Sequence, residues 1–383
     1  MSVTAPQGFR AAGVTAGLKE SGDRDVAVVI NDGPSRAAAA VFTSNRVHAA
    51  PVKWSRQVVS GGRVRAVVLN SGGANACTGP AGFTDTHATA ERLGAALDDS
   101  AGEMVVCSTG LIGERLPMDK LLPAVDAAVA EADRSAGVHA ADAIRTTDTV
   151  VKISFRRAAG CVIGGMAKGA AMLAPSLATM LCVVTTDADL SPGELDSALR
   201  SATAVTFDRL DTDGCMSTND TVLLMASGAS GAKPDHGEFT KALTEVCADL
   251  ARQMQLDAEG ASKMITIEVV GAASEADAVT VGRSVARNNL LKCAIAGSDP
   301  NWGRVLSAVG TTDAVFDPDR LNVAINGTWV CRGGAPGDDR SKVNLSGRDV
   351  TITVDLSAGS STATILTTDL TEAYVHENSA YST

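Results

Sequence analysis

Short apolar runs bounded by glycine, proline, aspartate and serine alternate along this chain with longer stretches that place an apolar residue at every third or fourth position. The short runs read as buried strands and the longer stretches as amphipathic helices. Residues 25–31 and 37–43 are strand-like runs separated by Asp32-Gly33-Pro34-Ser35, which predicts a hairpin. Further strands are expected at 65–70, 103–108, 150–155, 162–166, 180–184, 264–271, 321–325, 350–356 and 362–366. Helices are expected at 84–97, 118–132, 139–145, 236–254 and 274–286, the fourth with Phe239, Leu243, Val246 and Leu250 on one face. Pro123 inside 118–132 calls for a later start or a kink. Ser191-Pro192-Gly193-Glu194 is a capping box with proline at the first helical position. The pattern is that of an α/β chain, with β-sheets and flanking helices and no linker that marks off separable domains.

Composition narrows the class. The chain has 383 residues, 45% hydrophobic but only 3% aromatic, so its core must be built from Ala, Val, Leu and Ile. A net charge of −11 argues against nucleic acid as a partner, because phosphates demand basic surface. No apolar run approaches membrane-spanning length, and residues 1–8 lack the charged start and apolar core of a secretory signal, which places the protein in the cytoplasm. The eight cysteines form no CxxC pair and no ligand spacing with the five histidines, so they read as reduced thiols and no metal site is expected. None of the histidines sits in a recognisable triad motif.

Four stretches carry candidate chemistry. The loop 70–79, NSGGANACTG, could cradle a phosphate ahead of a helix, but it has neither GxGxxG nor GxxxxGK[ST] and reads better as a loop that shapes a site. At 108–110, Ser-Thr-Gly ends a strand; Thr109 and Gly110 could offer a hydroxyl and an amide to an oxyanion, or simply make a turn. Thr179 sits between a loop of small residues containing Pro175 and the apolar run 180–184. It could merely open that strand, or attack its own preceding carbonyl and, after hydrolysis of the ester, become an N-terminal threonine. Its α-amino group, with an ordinary pKa of about 7.7 to 8.0, would then serve as the base. Asp211, Asp213 and Asp220 lack the order of a calcium loop and read as loop hydrogen-bonding groups.

The string KGAAMLAPSLATML at 168–181, followed by TTDA at 185–188, resembles the cleavage segment of the ornithine acetyltransferase family of arginine biosynthesis, bifunctional in many members. STG at 108–110, TTDT at 146–149, DAEGA at 257–261, GSDPNWGR at 297–304 and the tail YVHENSAYST at 374–383 fall in the family's order, so the resemblance runs from Gly8 to Thr383. It implies an N-terminal-nucleophile, ornithine acetyltransferase-like fold. Cleavage between Ala178 and Thr179 would give fragments 1–178 and 179–383, entwined as one catalytic unit and paired into an α2β2 assembly. The resemblance further implies Thr179 as nucleophile and Thr109 with Gly110 as oxyanion hole. Thr146, Lys168, Glu259, Asn378 and Thr383 become substrate-binding residues, with Lys168 suited to an α-carboxylate and Glu259 to an amine or a proton transfer.

The implied reaction moves acetyl from N2-acetyl-L-ornithine to L-glutamate without metal or organic cofactor, with acetyl-CoA as an alternative donor. The sequence departs from the family pattern at Gly73, at Cys215 and Met216, at Ser298, and at Ala171, where the family has glycine and a positive φ would be strained by the methyl group. Two rival readings remain: a hydrolase using the same nucleophile, and a non-enzymatic binding protein on an unprocessed scaffold.

Overall fold

The computed structural model describes residues 2–158, 160–173 and 180–380, so Ala178, Thr179 and Thr383 lie outside the described residues. The chain packs as two compact units, one of residues 1–208 and 215–254 and one of residues 209–214 and 255–382.

The first unit carries strands β1 (Phe9–Val14), β2 (Val26–Asn31), β3 (Ala37–Phe42), β4 (Ala66–Ser71), β5 (Met104–Thr109), β6 (Lys152–Ala158), β7 (Cys161–Lys168), β8 (Leu181–Thr186) and β9 (Thr221–Ala226). Its helices are α1 (Ala50–Val59), α2 (Gly79–Ala96), α3 (Met118–Glu131), α4 (Gly137–Ala143), α5 (Pro192–Val205) and α6 (His236–Leu256), the last running on past Met254. The strands form a sheet in the order β1-β2-β4-β5 and another in the order β3-β9-β8-β7-β6. Ala27, Val29, Val67 and Leu69 of the first sheet share one core with Met166, Leu181, Val183, Leu223 and Met225 of the second. The alternate residues Val26, Val28, Ile30, Ala66 and Val68 pack instead with Ala90 and Leu93 of α2 and Leu121 and Val125 of α3. Because both faces are covered, β2 and β4 are buried along their whole length, and their sequences read as continuous apolar runs rather than as alternation.

A core with few aromatic side chains leaves room for close backbone approaches. A methyl group on Gly164 of β7 would lie 2.2 Å from the Ser2 carbonyl oxygen, so only glycine fits there. The parallel pairs β4–β5 and β8–β9 each need a long crossover, which α2 and α5 supply. The capping box at Ser191 and Glu194 starts α5 as its sequence predicts.

The predicted hairpin at 25–43 does not form. β2 pairs with β1 and β4, whereas β3 pairs with β9 in the facing sheet. Asn31 explains the switch: its Nδ2 donates to the carbonyls of Ser35 and Ala226, and its Oδ1 accepts the Gly33 amide, which ties the turn to the other sheet. Helix α2 begins at Gly79, ahead of the expected 84, because Pro80 suits a first turn. Helix α3 begins at Met118 despite Pro123, its sixth residue, which leaves the Asp119 carbonyl without its usual amide partner.

The second unit holds β10 (Met264–Ala272), β11 (Asn322–Ile325), β12 (Thr328–Arg332), β13 (Ala335–Pro336), β14 (Asp349–Asp355) and β15 (Ser361–Thr368) in one sheet, ordered β13-β12-β11-β14-β10-β15. With it go α7 (Glu275–Ala286), α8 (Asn289–Ala296), α9 (Trp302–Val309) and α10 (Glu372–Ala380). Ile265, Ile267, Val323, Ile352 and Ile365 from the sheet and Val281, Val285 and Val305 from the helices make its core. The described part of the tail is helical over 372–380. Among the described residues no helix is long and apolar enough to cross a membrane.

Gln255, fully buried, donates from Nε2 to the carbonyls of Ile265 at 3.0 Å and Thr367 at 2.7 Å, a side-chain clamp across β10 and β15. Gln255→Leu keeps the volume but deprives both carbonyls of this donor, and urea unfolding is expected to show a loss of about 1–3 kcal/mol.

Candidate active site

Thr109 is the last residue of β5 and is buried. Its carbonyl accepts the Gly73 amide at 3.0 Å, and the Leu111 carbonyl accepts the Ala74 amide at 2.9 Å, so the loop after β4 is laced to the loop after β5. These amides are used in building the site, which accounts for a glycine-rich loop without the architecture of a phosphate cradle. Gly110 has a φ of +128°, and a Cβ there would stand 2.5 Å from the Gly73 nitrogen. Glycine is required on both counts. Asn219, which the sequence reading passed over, pins the same place: its Nδ2 donates to the carbonyls of Ala74 and Ser108 at 2.6 and 2.8 Å.

Lys168, the last residue of β7, is 2% exposed, and its Nζ lies 3.4 Å from the Thr109 hydroxyl oxygen. Two residues that are 59 positions apart and were selected separately from the sequence thus meet. What holds the lysine there is Asp148, in the corner between α4 and β6. Its Oδ1 accepts from Lys152 Nζ at 2.6 Å and from the Gly169 amide at 2.7 Å, and its Oδ2 accepts the Thr146 amide at 3.1 Å. Burial by itself pushes the Asp148 carboxyl up, but the Lys168 and Lys152 ammonium groups and the Gly169 amide overcome it and hold the group below the usual carboxylate range. One carboxylate therefore sits between two buried cations.

In the TTDT corner the sequence reading selects Thr146, and the structure gives the organising part to Asp148. Thr146 is half-buried and contributes its amide to that carboxylate. Lys152 is fully buried at the start of β6; a lysine opening an apolar strand was the available signal. The strain expected at Ala171 is not there: positive φ in this loop falls on Gly169 (153°) and Met172 (56°).

In the second unit, Glu259 is buried at 9% exposure, next to Gly260, whose φ is +59°. A Cβ on Gly260 would lie 2.2 Å from the Tyr374 nitrogen, and the Gly260 carbonyl accepts the Thr371 hydroxyl at 2.5 Å, so the DAEGA turn and the start of α10 are packed together. Tyr374 donates its hydroxyl to Asp213 Oδ1 at 2.8 Å. Asp211 accepts from Arg287 at 2.8 Å, so both aspartates do the loop hydrogen bonding expected of them. Asn378 is exposed on α10 and donates to the Tyr374 carbonyl. Asn301, in the GSDPNWGR segment, caps α9, its side chain accepting the Arg304 amide. Among the described residues no group of three or more His, Cys, Asp or Glu could hold a metal ion.

An α/β scaffold that brings a threonine–glycine strand end and a buried lysine together has the makings of an acyl-transfer site. Residues 10–383 match the model of the ArgJ family. The chain is 75% identical over 383 residues to the arginine biosynthesis bifunctional protein ArgJ of Thermobifida fusca, covering all of both chains. It is 66% identical over 382 residues to the protein of that name from Streptomyces coelicolor, again covering all of both. Among solved structures, ornithine acetyltransferase of Mycobacterium tuberculosis, complexed with ornithine, is 58% identical over 45% of this chain and 94% of its own, with a TM-score of 0.43. The arginine biosynthesis bifunctional protein of Bacillus halodurans is 37% identical over 51% of this chain and 97% of its own, with a TM-score of 0.49. The chain belongs to the ArgJ family.

Because the folded Asp148 carboxyl titrates below the ordinary value of about 3.9, its contribution to stability is fully present above that pH and is lost as pH falls through the folded value. Asp148→Asn leaves the Lys152 ammonium buried without its carboxylate and is expected to cost roughly 3–5 kcal/mol at neutral pH. Urea titrations at a series of pH values should show the gap between the two proteins closing in acid.

Proposed function

We propose that this member of the ArgJ family works through a threonine that it unmasks itself. The reaction is acetyl transfer in arginine biosynthesis: a glutamate N-acetyltransferase moves the acetyl group of N2-acetyl-L-ornithine to L-glutamate. The observation that carries the reading is the family match along residues 10–383, with relatives of the same length under one name.

In the proposed sequence the Thr179 hydroxyl attacks the Ala178 carbonyl, the peptide nitrogen leaves as the new α-amino group, and water hydrolyses the resulting ester. The freed amine then takes the proton of the Thr179 hydroxyl as that oxygen attacks the acetyl carbonyl of acetylornithine. The Thr109 hydroxyl and the Gly110 amide face the developing oxyanion. The α-ammonium gives that proton to the departing nitrogen and ornithine leaves as the amine; the glutamate amine then attacks the acetyl-threonine ester, its proton passing through the α-amino group to the Thr179 oxygen, which returns Thr179 to its starting state. Lys168 binds the substrate α-carboxylate as a point charge, and the carboxylate of Asp148 fixes where that charge stands. Thr146, Glu259, Asn378 and Thr383 complete substrate binding, Glu259 through an amine or a proton transfer. Fragments 1–178 and 179–383 remain entwined in a cytoplasmic α2β2 assembly, and acetyl-CoA serves as a second donor, in keeping with the relatives' description as bifunctional.

Intact mass spectrometry under denaturing conditions is expected to give two species matching residues 1–178 and 179–383, and a single whole chain for Thr179→Ala, with kcat reduced by at least about 10³-fold. Acetylornithine consumption should yield N-acetylglutamate only when glutamate is present. Full-length protein without activity would overturn the reading, and acetate released at the same rate without glutamate would replace it with a hydrolase.

A further inference from the structure

Asp220 is the residue immediately before β9, and Met180 the residue immediately before β8. The two strands run parallel with Leu181 opposite Thr221, so Asp220 and Met180 enter the sheet side by side. Asp220 has no exposed surface. Its Oδ1 accepts the Met180 amide at 2.9 Å, while its Oδ2 is buried and, among the described residues, makes no hydrogen bond of ordinary geometry, Ser217 being the further polar group that acts on the carboxyl. The Thr221 amide donates to the Met180 carbonyl at 3.2 Å, so Met180 is gripped from both sides. The charged group facing Asp220 is Lys168, which lies in the same row of the sheet through the pairs Lys168↔Leu181 and Leu181↔Thr221.

An ionised carboxylate in this setting would leave a bare charged oxygen in the interior, which burial strongly opposes; a protonated one suits the place. Burial accordingly pushes the Asp220 carboxyl well up, against the pull of the Met180 amide, the Lys168 charge and Ser217. Met180 follows Thr179 in the chain, so whatever fixes its amide fixes the backbone from which the nucleophile projects.

We infer that Asp220 is a positioning residue, a neutral carboxyl that holds the Met180 amide and so aims Thr179 in self-cleavage and in acyl transfer. This rests on the proposed role of Thr179. It also gives Asp220 work beyond the loop hydrogen bonding expected from the sequence, and makes its protonated form the active one.

The test compares Asp220→Asn, which keeps a neutral side chain with an acceptor for the Met180 amide, with Asp220→Leu, which has none. Asp220→Asn is expected to cleave, and to keep kcat within about tenfold of the parent. Asp220→Leu should lose cleavage and drop kcat by about 10²-fold or more with KM little changed, as a misplaced reacting group does. An Asn variant as impaired as the Leu variant, or a Leu variant with full kcat, overturns the inference.

A second readout does not depend on the Leu variant folding. A carboxyl whose folded pKa is raised contributes stability below its unfolded value of about 3.9 and loses it as pH rises towards the folded value. The stability of Asp220→Asn relative to the parent should therefore grow as pH is raised above that point; a constant difference means that the carboxyl is ionised in the fold and overturns the inference. If the parent chain stays whole, the processing reading fails by itself, while the growing difference still upholds, and its absence still overturns, the neutral carboxyl at Met180.

Discussion

The first unit depends on one buried carboxylate placed between two lysines. Asp148 takes in the Lys152 ammonium, the Gly169 amide and the Thr146 amide, and its charge faces Lys168. Removing any of these from water would be costly if it stood by itself. Together they force the α4–β6 corner, the start of β6 and the end of β7 into one arrangement, and that arrangement sets Lys168 against Thr109. The two side chains proposed to meet the substrate charge and the oxyanion are thus set together by the same electrostatic requirement that closes the fold.

The sheet translates that requirement into position. Lys168, Leu181 and Thr221 form one row across β7, β8 and β9, and the first sheet delivers Thr109 to the site because β4 and β5 end together, with Gly73 and Gly110 in close backbone approach. Helices on the outer face of that sheet bury its alternate side chains. Small and aliphatic residues make up most of the core, and at positions such as Gly110 and Gly164 glycine lets backbone pass close to backbone.

Much of this was legible in the sequence, and the failures have physical causes. Runs such as VAVVI and MLCVV could be read as strands because both faces of β2 and β8 are buried, and the capping box at Ser191 names its own helix start. The hairpin reading of 25–43 failed because a four-residue turn signal says that the chain reverses, not which sheet it re-enters; Asn31 decides that through a carbonyl 195 residues away. Thr109 and Lys168 carry chemistry recognisable in their motifs. Asp148 and Asn219 act through partners distant in sequence, such as the Gly169 amide and the Ala74 carbonyl, and Lys152 through a burial that a lone lysine does not announce. Ala171 looked strained only while the positive φ one position further on, at Met172, was unknown.

The strand order β3-β9-β8-β7-β6 has a topological consequence. Strands β3, β7 and β6 precede position 178 and strands β9 and β8 follow it, so a break there would leave a sheet with two strands of one polypeptide inserted between strands of the other. Neither piece could leave without undoing its ladder on two sides, which makes the nicked molecule kinetically locked although no covalent bond joins its parts. Once unfolded, it would have to find its other half by diffusion, and recovery would depend on concentration, as for an obligate dimer. Processing would thus convert a chain that folds alone into a complex whose native state can be kept for long but regained only in company.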